Sequence, residues 1–245
     1  NHVLQGDAIK TAIEAHRRDM PYCMGTLFWQ HNDCWPVASW ASRDYYGRWK
    51  AQHYFARKAY RDVLVSPIKE DDGQLNVYIV SDRLSACQGT LAVTIGKLNG
   101  ETVSSFHKKV KVAANSSGSF LAVNLPEVLK GTSEGKVFVH AVFTADNGKS
   151  VYTNTYFLVK QKDVDYPKTK IDREIQPVDG GYRLTLSSKS FARAVFIATG
   201  DANSTFSDNY FDILPGATVK VTVFTTLPQD SFEKQLKIIS LSDEY

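Results

Sequence analysis

A short apolar run, Met24 to Phe28, empties into Trp29, Asn32, Asp33 and Trp35 just before Pro36, and these residue types can hold a carbohydrate. A tryptophan face covers the apolar C–H side of a pyranose ring, while amide and carboxylate side chains take its hydroxyls. In a barrel of alternating strands and helices, the residues just past the C-terminal end of a strand face the substrate. On that reading Trp29, Asn32 and Asp33 are the candidate substrate-binding residues. Burial of large aromatics offers a competing account, in which Trp29 and Trp35 are core or lid residues. Asn32 and Asp33 also have an alternative as loop formers, because both types bond to nearby backbone. Trp35 and Trp40 are expected to pack beneath the loop, and Arg48, Trp49 and Lys50 to anchor the helix that follows.

Other chemistries find little support. Cys23, Cys34 and Cys87 are too few and too unevenly spaced for a disulfide framework, a zinc ribbon or a redox pair. Cys34 sits in the candidate loop with no base near it in sequence. The six histidines show no His-x-x-x-His or comparable spacing, so no metal is expected and no cofactor is implied. His31 and His53 read as hydrogen-bonding or packing residues. Lys69 to Gly73 reads as a solvated turn, since it lacks the spaced oxygen ligands and terminal Glu of a calcium loop. Asn115-Ser116-Ser117 and Asn203-Ser204-Thr205 match the N-glycosylation acceptor triplet, which is common by chance.

A net charge of +3 arises from interspersed acids and bases, without a basic stripe, which argues against nucleic-acid binding. No apolar run approaches the roughly 18 residues of a membrane span, and a membrane partner is not expected. The chain opens Asn1-His2-Val3-Leu4 without a methionine and reads as a segment of something longer. Compartment is therefore left open, with periplasmic, secreted and lysosomal settings all compatible.

The elements that must position the loop change character near residue 60. Before it, Leu4, Ala8, Ile9, Ala12, Ile13 and Ala15 recur at helical steps, and Arg17 to Pro21 breaks that helix ahead of an apolar strand from Met24 to Trp29. A second helix begins after Gly47 and carries Trp49, Ala51, Gln52, Tyr54, Phe55, Ala56 and Lys58. Helix, strand, loop and helix over residues 1–60 fit the last units of a (β/α)8 barrel, a fragment that cannot close on itself. After it the period falls to two: Leu75, Val77 and Ile79, then Leu91, Val93 and Ile95, then Val137, Val139, Ala141 and Phe143. Asn99-Gly100 and Asn147-Gly148 supply hairpin turns. Strand and turn spacing predicts an antiparallel β-sandwich over 61–163. A polar linker from Gln161 to Pro167 leads to a smaller all-β unit over 164–245, with strands around Tyr182, Leu184 and Leu186, around Ala194, Phe196 and Ala198, and around Val219, Val221 and Val223. The fold class expected is thus multi-domain: an incomplete barrel piece followed by two immunoglobulin-like sandwiches. The two sandwiches show no sequence repeat.

Three pieces in this order resemble the C-terminal part of a glycoside hydrolase family 2 enzyme of the β-mannosidase kind. The first is Gly25 to Pro36, continuing through Ser39 to Ser42, Tyr45 to Lys50 and His53 to Ala56, which resembles the final barrel strand, its loop and its closing helix. The second is Phe206 to Gly216, which resembles the family's last β-domain; the sandwich between them matches by pattern only. Phe206 to Gly216 also has a sugar-binding look, but its turn pairs Asp208-Asn209 and Pro215-Gly216 with Phe206, Tyr210, Phe211 and Ile213 fit a structural role better.

The resemblance implies a retaining exo-glycosidase that removes terminal β-linked mannose with two glutamates, and an oligosaccharide as its partner. Such chemistry needs two carboxyl groups roughly 5–5.5 Å apart. Glu14 is the sole glutamate of residues 1–60 and lies in a helix before the strand. Asp19, Asp44 and Asp62 read as capping or solvated residues. No catalytic residue is therefore expected in this segment, which should be inactive alone. The resemblance also gives Trp29 the role of the tryptophan ending the last barrel strand, at the terminal-sugar subsite. A different class of function stays open beside it: a non-catalytic carbohydrate-binding or subunit-assembly module built on the sandwiches. An incomplete barrel piece would leave apolar residues wet, which predicts disorder, rearrangement or self-association there.

Overall fold

The computed structural model describes residues 1–148 and 150–244; Lys149 and Tyr245, the last residue of the expected 164–245 unit, lie outside the described residues. Two compact units are formed. One combines residues 10–27 with 57–165, the other residues 1–9 and 28–56 with the chain from Tyr166 on. The helical stretch is therefore shared between the two units.

Helix α1 (His2–Arg18) ends in His16, Arg17 and Arg18, cations suited to the negative end of a helix dipole. Helix α2 (Ala51–Ala59) ends likewise in Arg57 and Lys58. Between them, Met24 to Trp29 forms no strand. A barrel strand takes its hydrogen bonds from parallel neighbours on both sides, whereas every strand ladder among the described residues is antiparallel. Among the described residues no strand pairs with the apolar run.

The first sandwich holds a sheet of β1 (Val63–Lys69), β2 (Gln74–Ser81) and β5 (Ser116–Asn124), with β2 central, and a sheet in the order β4 (Thr102–Val112), β3 (Cys87–Lys97), β6 (Val137–Ala145), β7 (Val151–Tyr156). Alternate residues of both sheets enter one core: Leu75, Val77 and Ile79 from β2, Leu91, Val93 and Ile95 from β3, Val139, Ala141 and Phe143 from β6. All nine are 1% exposed or less, the condition for roughly 1.5–3 kcal/mol of burial per large side chain. Gly100 and Gly148 sit at φ of 105° and 66° in the β3–β4 and β6–β7 turns, where a side chain would strain the backbone. A short helix, α3 (Leu125–Leu129), follows β5, and the Asn124 side chain caps it by accepting from the Glu127 N–H.

The C-terminal half of α1 lies on this sandwich through buried polar groups. Glu14 accepts from Asn154 Nδ2 at 2.8 Å and from Ser66 Oγ at 3.1 Å, and pairs with Lys10. Arg17 donates to the carbonyls of Ala59 and Arg61 and to Asp82. The lone glutamate of the first 60 residues is thus a buried docking group.

In the second sandwich, β8 (Ile171–Val178) pairs with β9 (Gly181–Ser188), which pairs with β13 (Thr218–Phe224) and then β11 (Thr205–Phe206). The facing sheet places β10 (Ala192–Ala198) between β12 (Phe211–Ile213) and β14 (Lys237–Ile239). Helix α4 (Gln229–Gln235) seals the core by stacking Phe232 on Tyr182 at 4.2 Å. Strand β10 carries a bulge between Ala192 and Val195, with Ala194 at φ 50°. The bulge turns Val195 and Ile197 inward, so Phe196 faces away from this core.

A candidate carbohydrate-site loop and its relatives

Residues 30–50 build a compact loop from backbone bonds. Ser42 N–H donates to Gln30 O at 3.0 Å, Arg43 N–H to His31 O at 2.9 Å, and Asp33 N–H to Arg43 O at 3.0 Å. Arg43 bridges both Asn32 and Trp49, and Lys50 N–H closes on Ser42 O. Gly47 takes φ 85° at the bend, where Asp44 accepts from the Arg48 backbone and guanidinium. The Trp29–Gln30 peptide bond is cis.

The three candidate residues separate within this loop. Trp29 stands 73% exposed at its entry. Asn32 is also exposed, and its amide donates only to the adjoining Asp33 carbonyl at 3.2 Å. Asp33 turns the other way. Its carboxylate accepts from Ser39 Oγ at 2.5 Å and meets Lys50 Nζ at 3.3 Å, and the residue is 6% exposed. The Ser39 hydroxyl foremost, and Lys50 after it, hold the Asp33 carboxyl below its ordinary range against the opposing cost of burial. These two bonds tie the Asp33 carboxylate into the loop, with Ser39 on one oxygen and Lys50 on the other.

Trp35 and Trp40 depart from expectation as well, being 64% and 62% exposed instead of packed under the loop. Trp49 does anchor the next helix: it stacks on His53 at 3.6 Å, with His31 edge-on at 5.6 Å and the Arg43 guanidinium 5.0 Å over its face. Lys50 is buried against Asp33, a pairing that spans 17 positions and had no local signal in the sequence. Cys34 is exposed and free, Cys87 buried and free. Among the described residues no group of three or more His, Cys, Asp or Glu could hold a metal ion, and no helix is long and apolar enough to cross a membrane.

Asp7 of α1 and Phe55 of α2 are tied to the second sandwich by a buried cation. Arg193 on β10 reaches Asp7 of α1 at 2.5 Å and Asp212 of β12 at 2.8 Å, and lies over Phe55 of α2. Burial works against its charge, but Asp212 and Asp7 outweigh it and raise its pKa further. Burial likewise pushes the phenol of the neighbouring Tyr166 up.

The loop carries an exposed aromatic and an exposed amide, Trp29 and Asn32, and the single buried carboxylate of Asp33. Comparison with known proteins adds to this. Residues 73–163 match a mannosidase Ig/CBM-like domain, and residues 166–244 match an Ig-fold domain of mannosidases. In fold and in these matches the chain is similar to proteins with paired mannosidase-type immunoglobulin-like domains. Among curated relatives, a β-mannosidase of Mus musculus is 29% identical over 99% of this chain and 29% of its own length, and a β-mannosidase A of Neosartorya fischeri is 26% identical over 90% and 25%. The crystal structure of a β-D-mannosidase from Dictyoglomus thermophilum superposes with a TM-score of 0.84 at 26% identity, over 98% of this chain and 29% of that one. An exo-chitosanase from Amycolatopsis orientalis shares the fold, with a TM-score of 0.70 at 19% identity. The chain is similar to the C-terminal part of a glycoside hydrolase family 2 protein of the β-mannosidase kind. It spans between 25% and 29% of the length of these two curated relatives.

Proposed function

We propose that this chain is the closing part of a retaining exo-β-mannosidase-like glycosidase acting on terminal β-linked mannose. Residues 1–60 then complete a (β/α)8 barrel, with Trp29, Asn32 and Asp33 contributing to the terminal-sugar subsite and the Ser39 and Lys50 bonds of Asp33 holding their loop in shape. The observation that carries this reading is the exposed Trp29 face at the entry of an otherwise self-bonded loop. The β-mannosidase names of the relatives support it, and the catalytic glutamates belong to the portion of the parent outside this segment.

In a longer chain that carries those glutamates, Trp29→Ala should lower kcat/KM on an aryl mannoside by about tenfold or more, equivalent to ~1.4 kcal/mol or more of transition-state stabilisation. Unchanged kinetics would return Trp29 to a packing role. The isolated segment should release no product; a rate comparable with a full-length enzyme would overturn the absence of catalytic groups.

One observation favours a second reading, the likeness of residues 73–163 to a domain described as CBM-like. On that reading the sandwiches are a non-catalytic carbohydrate-binding or assembly module. Titration with manno-oligosaccharide separates the two: amide shifts should fall at 29–33 under the first reading and on the sandwich faces under the second.

A further inference from the structure

In the segment Phe206 to Gly216, Phe211 and Ile213 enter the sandwich core and Phe206 packs against it, while Tyr210 joins a different cluster. This residue sits at φ 53°, a left-handed conformation that a bulky side chain adopts only when its surroundings impose it. The imposing group is Asn209, 2% exposed, whose Oδ1 accepts from the N–H of both Ile197 and Tyr210 while its Nδ2 donates to Ile197 O, each at 2.9 Å. The amide thus clamps this segment to β10 and aims the Tyr210 ring away from the sandwich core.

The ring joins a separate apolar cluster with Ala51, Tyr54 and Phe55 of α2, packed by Val3, Trp49 and Phe196. Phe196, turned outward by the β10 bulge, stacks on Tyr210 at 4.8 Å. From Tyr210 the ring contacts continue without a break: Tyr54 at 6.1 Å, His53 at 5.7 Å from Tyr54, Trp49 at 3.6 Å from His53, and His31 at 5.6 Å from Trp49. His31 lies two residues from Trp29, and its carbonyl accepts from both the Arg43 N–H and the Ser42 hydroxyl. All of these residues belong to one compact unit.

From this chain of contacts we infer that Tyr210 is a positioning residue for the Trp29 loop: the C-terminal sandwich sets the shape of the sugar-facing loop through a strained tyrosine. The inference rests on the sugar-site reading of Trp29. Packed rings with one arrangement transmit a fixed geometry, and a small misplacement at a site can cost up to about a hundredfold in rate.

The test uses Tyr210→Leu, with Tyr210→Phe as the conservative rescue and His53→Leu as a second cut lying outside the sandwich. In this chain, amide exchange at Asp33, Ser42 and Arg43 should accelerate about tenfold or more in Tyr210→Leu and His53→Leu. It should stay native in Tyr210→Phe, with the strands of 181–188 and 218–224 unchanged. In the longer enzyme, Tyr210→Leu should raise KM or the inhibition constant of a mannose-configured inhibitor about tenfold, with a smaller change in kcat. Native exchange in both cutting variants overturns the inference, as does acceleration spread evenly over the sandwich strands, which would mark general destabilisation. Accelerated loop exchange with native kinetics also overturns it if Trp29→Ala is impaired. If Trp29→Ala is silent too, the coupling stands and the sugar-site reading fails.

Discussion

Replacing Asn209 by Ala isolates the clamp from the rings it directs. The side chain satisfies two backbone N–H groups and one carbonyl through three bonds of 2.9 Å, at a residue 2% exposed, with Ile197 fully buried and Tyr210 7% exposed. Water has little route to those groups once the amide is gone. A buried polar group left without its partner costs about 1–3 kcal/mol, so three such groups with partial relaxation give a loss of about 3–5 kcal/mol. Tyr210 also loses the contact that holds its left-handed backbone. For a domain of this size each kcal/mol moves the midpoint by about 4–8 °C, which puts the second sandwich's transition more than about 10 °C lower. Scanning calorimetry on the chain, paired with urea unfolding followed by tyrosine and tryptophan emission, reads the shift. Asn203→Ala serves as control, because Asn203 is exposed and its recorded bond runs from its backbone N–H to Asp201; a change within about 0.5 kcal/mol is expected there. A loss under about 1 kcal/mol for Asn209→Ala would refute the clamp.

Two further outcomes follow from the geometry. Gly89→Ala in β3 would place a Cβ 2.3 Å from Thr144 O and 2.6 Å from the Phe143 ring, so the variant should lose about 1–3 kcal/mol or more by urea unfolding; native stability would show that the β3–β6 contact yields easily. Asp33 gives a pH dependence. Its folded carboxyl lies below the ordinary 3.8, held first by the Ser39 hydroxyl and then by Lys50, so its contribution is complete above pH 3.8 and is lost as pH falls through the lower folded value. Acid titration of tryptophan emission should show a low-pH change in the native chain that Asp33→Asn lacks; an identical acid limb in both would assign the change elsewhere.

The β-strands were legible because their signal is local and repeated. Leu75, Val77 and Ile79 or Val137 to Phe143 alternate over whole strands, and the structure buries those positions. The helices at 2–18 and 51–59 were legible for the same reason, from apolar spacing and the break at Arg17 to Pro21. What periodicity cannot report is the partner. Met24 to Trp29 reads as a strand by composition, yet a strand is a property of its neighbours, and none pairs with it here. Trp35 and Trp40 mislead in the same way: a large aromatic is buried by whatever surrounds it, and no packing partner covers these two.

The candidate site divides along the same line. Trp29 and Asn32 are exposed, a property that residue type and position can suggest without knowledge of a partner. The bonds that hold Asp33 could not be read, since Ser39 and Lys50 lie six and 17 positions away. Arg193 gave no signal and Asn209 read only as half of a turn pair, for their roles come from Asp7 and Ile197, 186 and 12 residues distant. The β10 bulge shows why local pattern fails at this point. One extra residue reverses which side chains face inward, converting Phe196 from an apparent core residue into a bearing surface for Tyr210. A register slip that costs packing in one core is tolerated where it builds a second contact, and here that contact joins a cluster with Tyr54 and Phe55 of α2 and with Trp49.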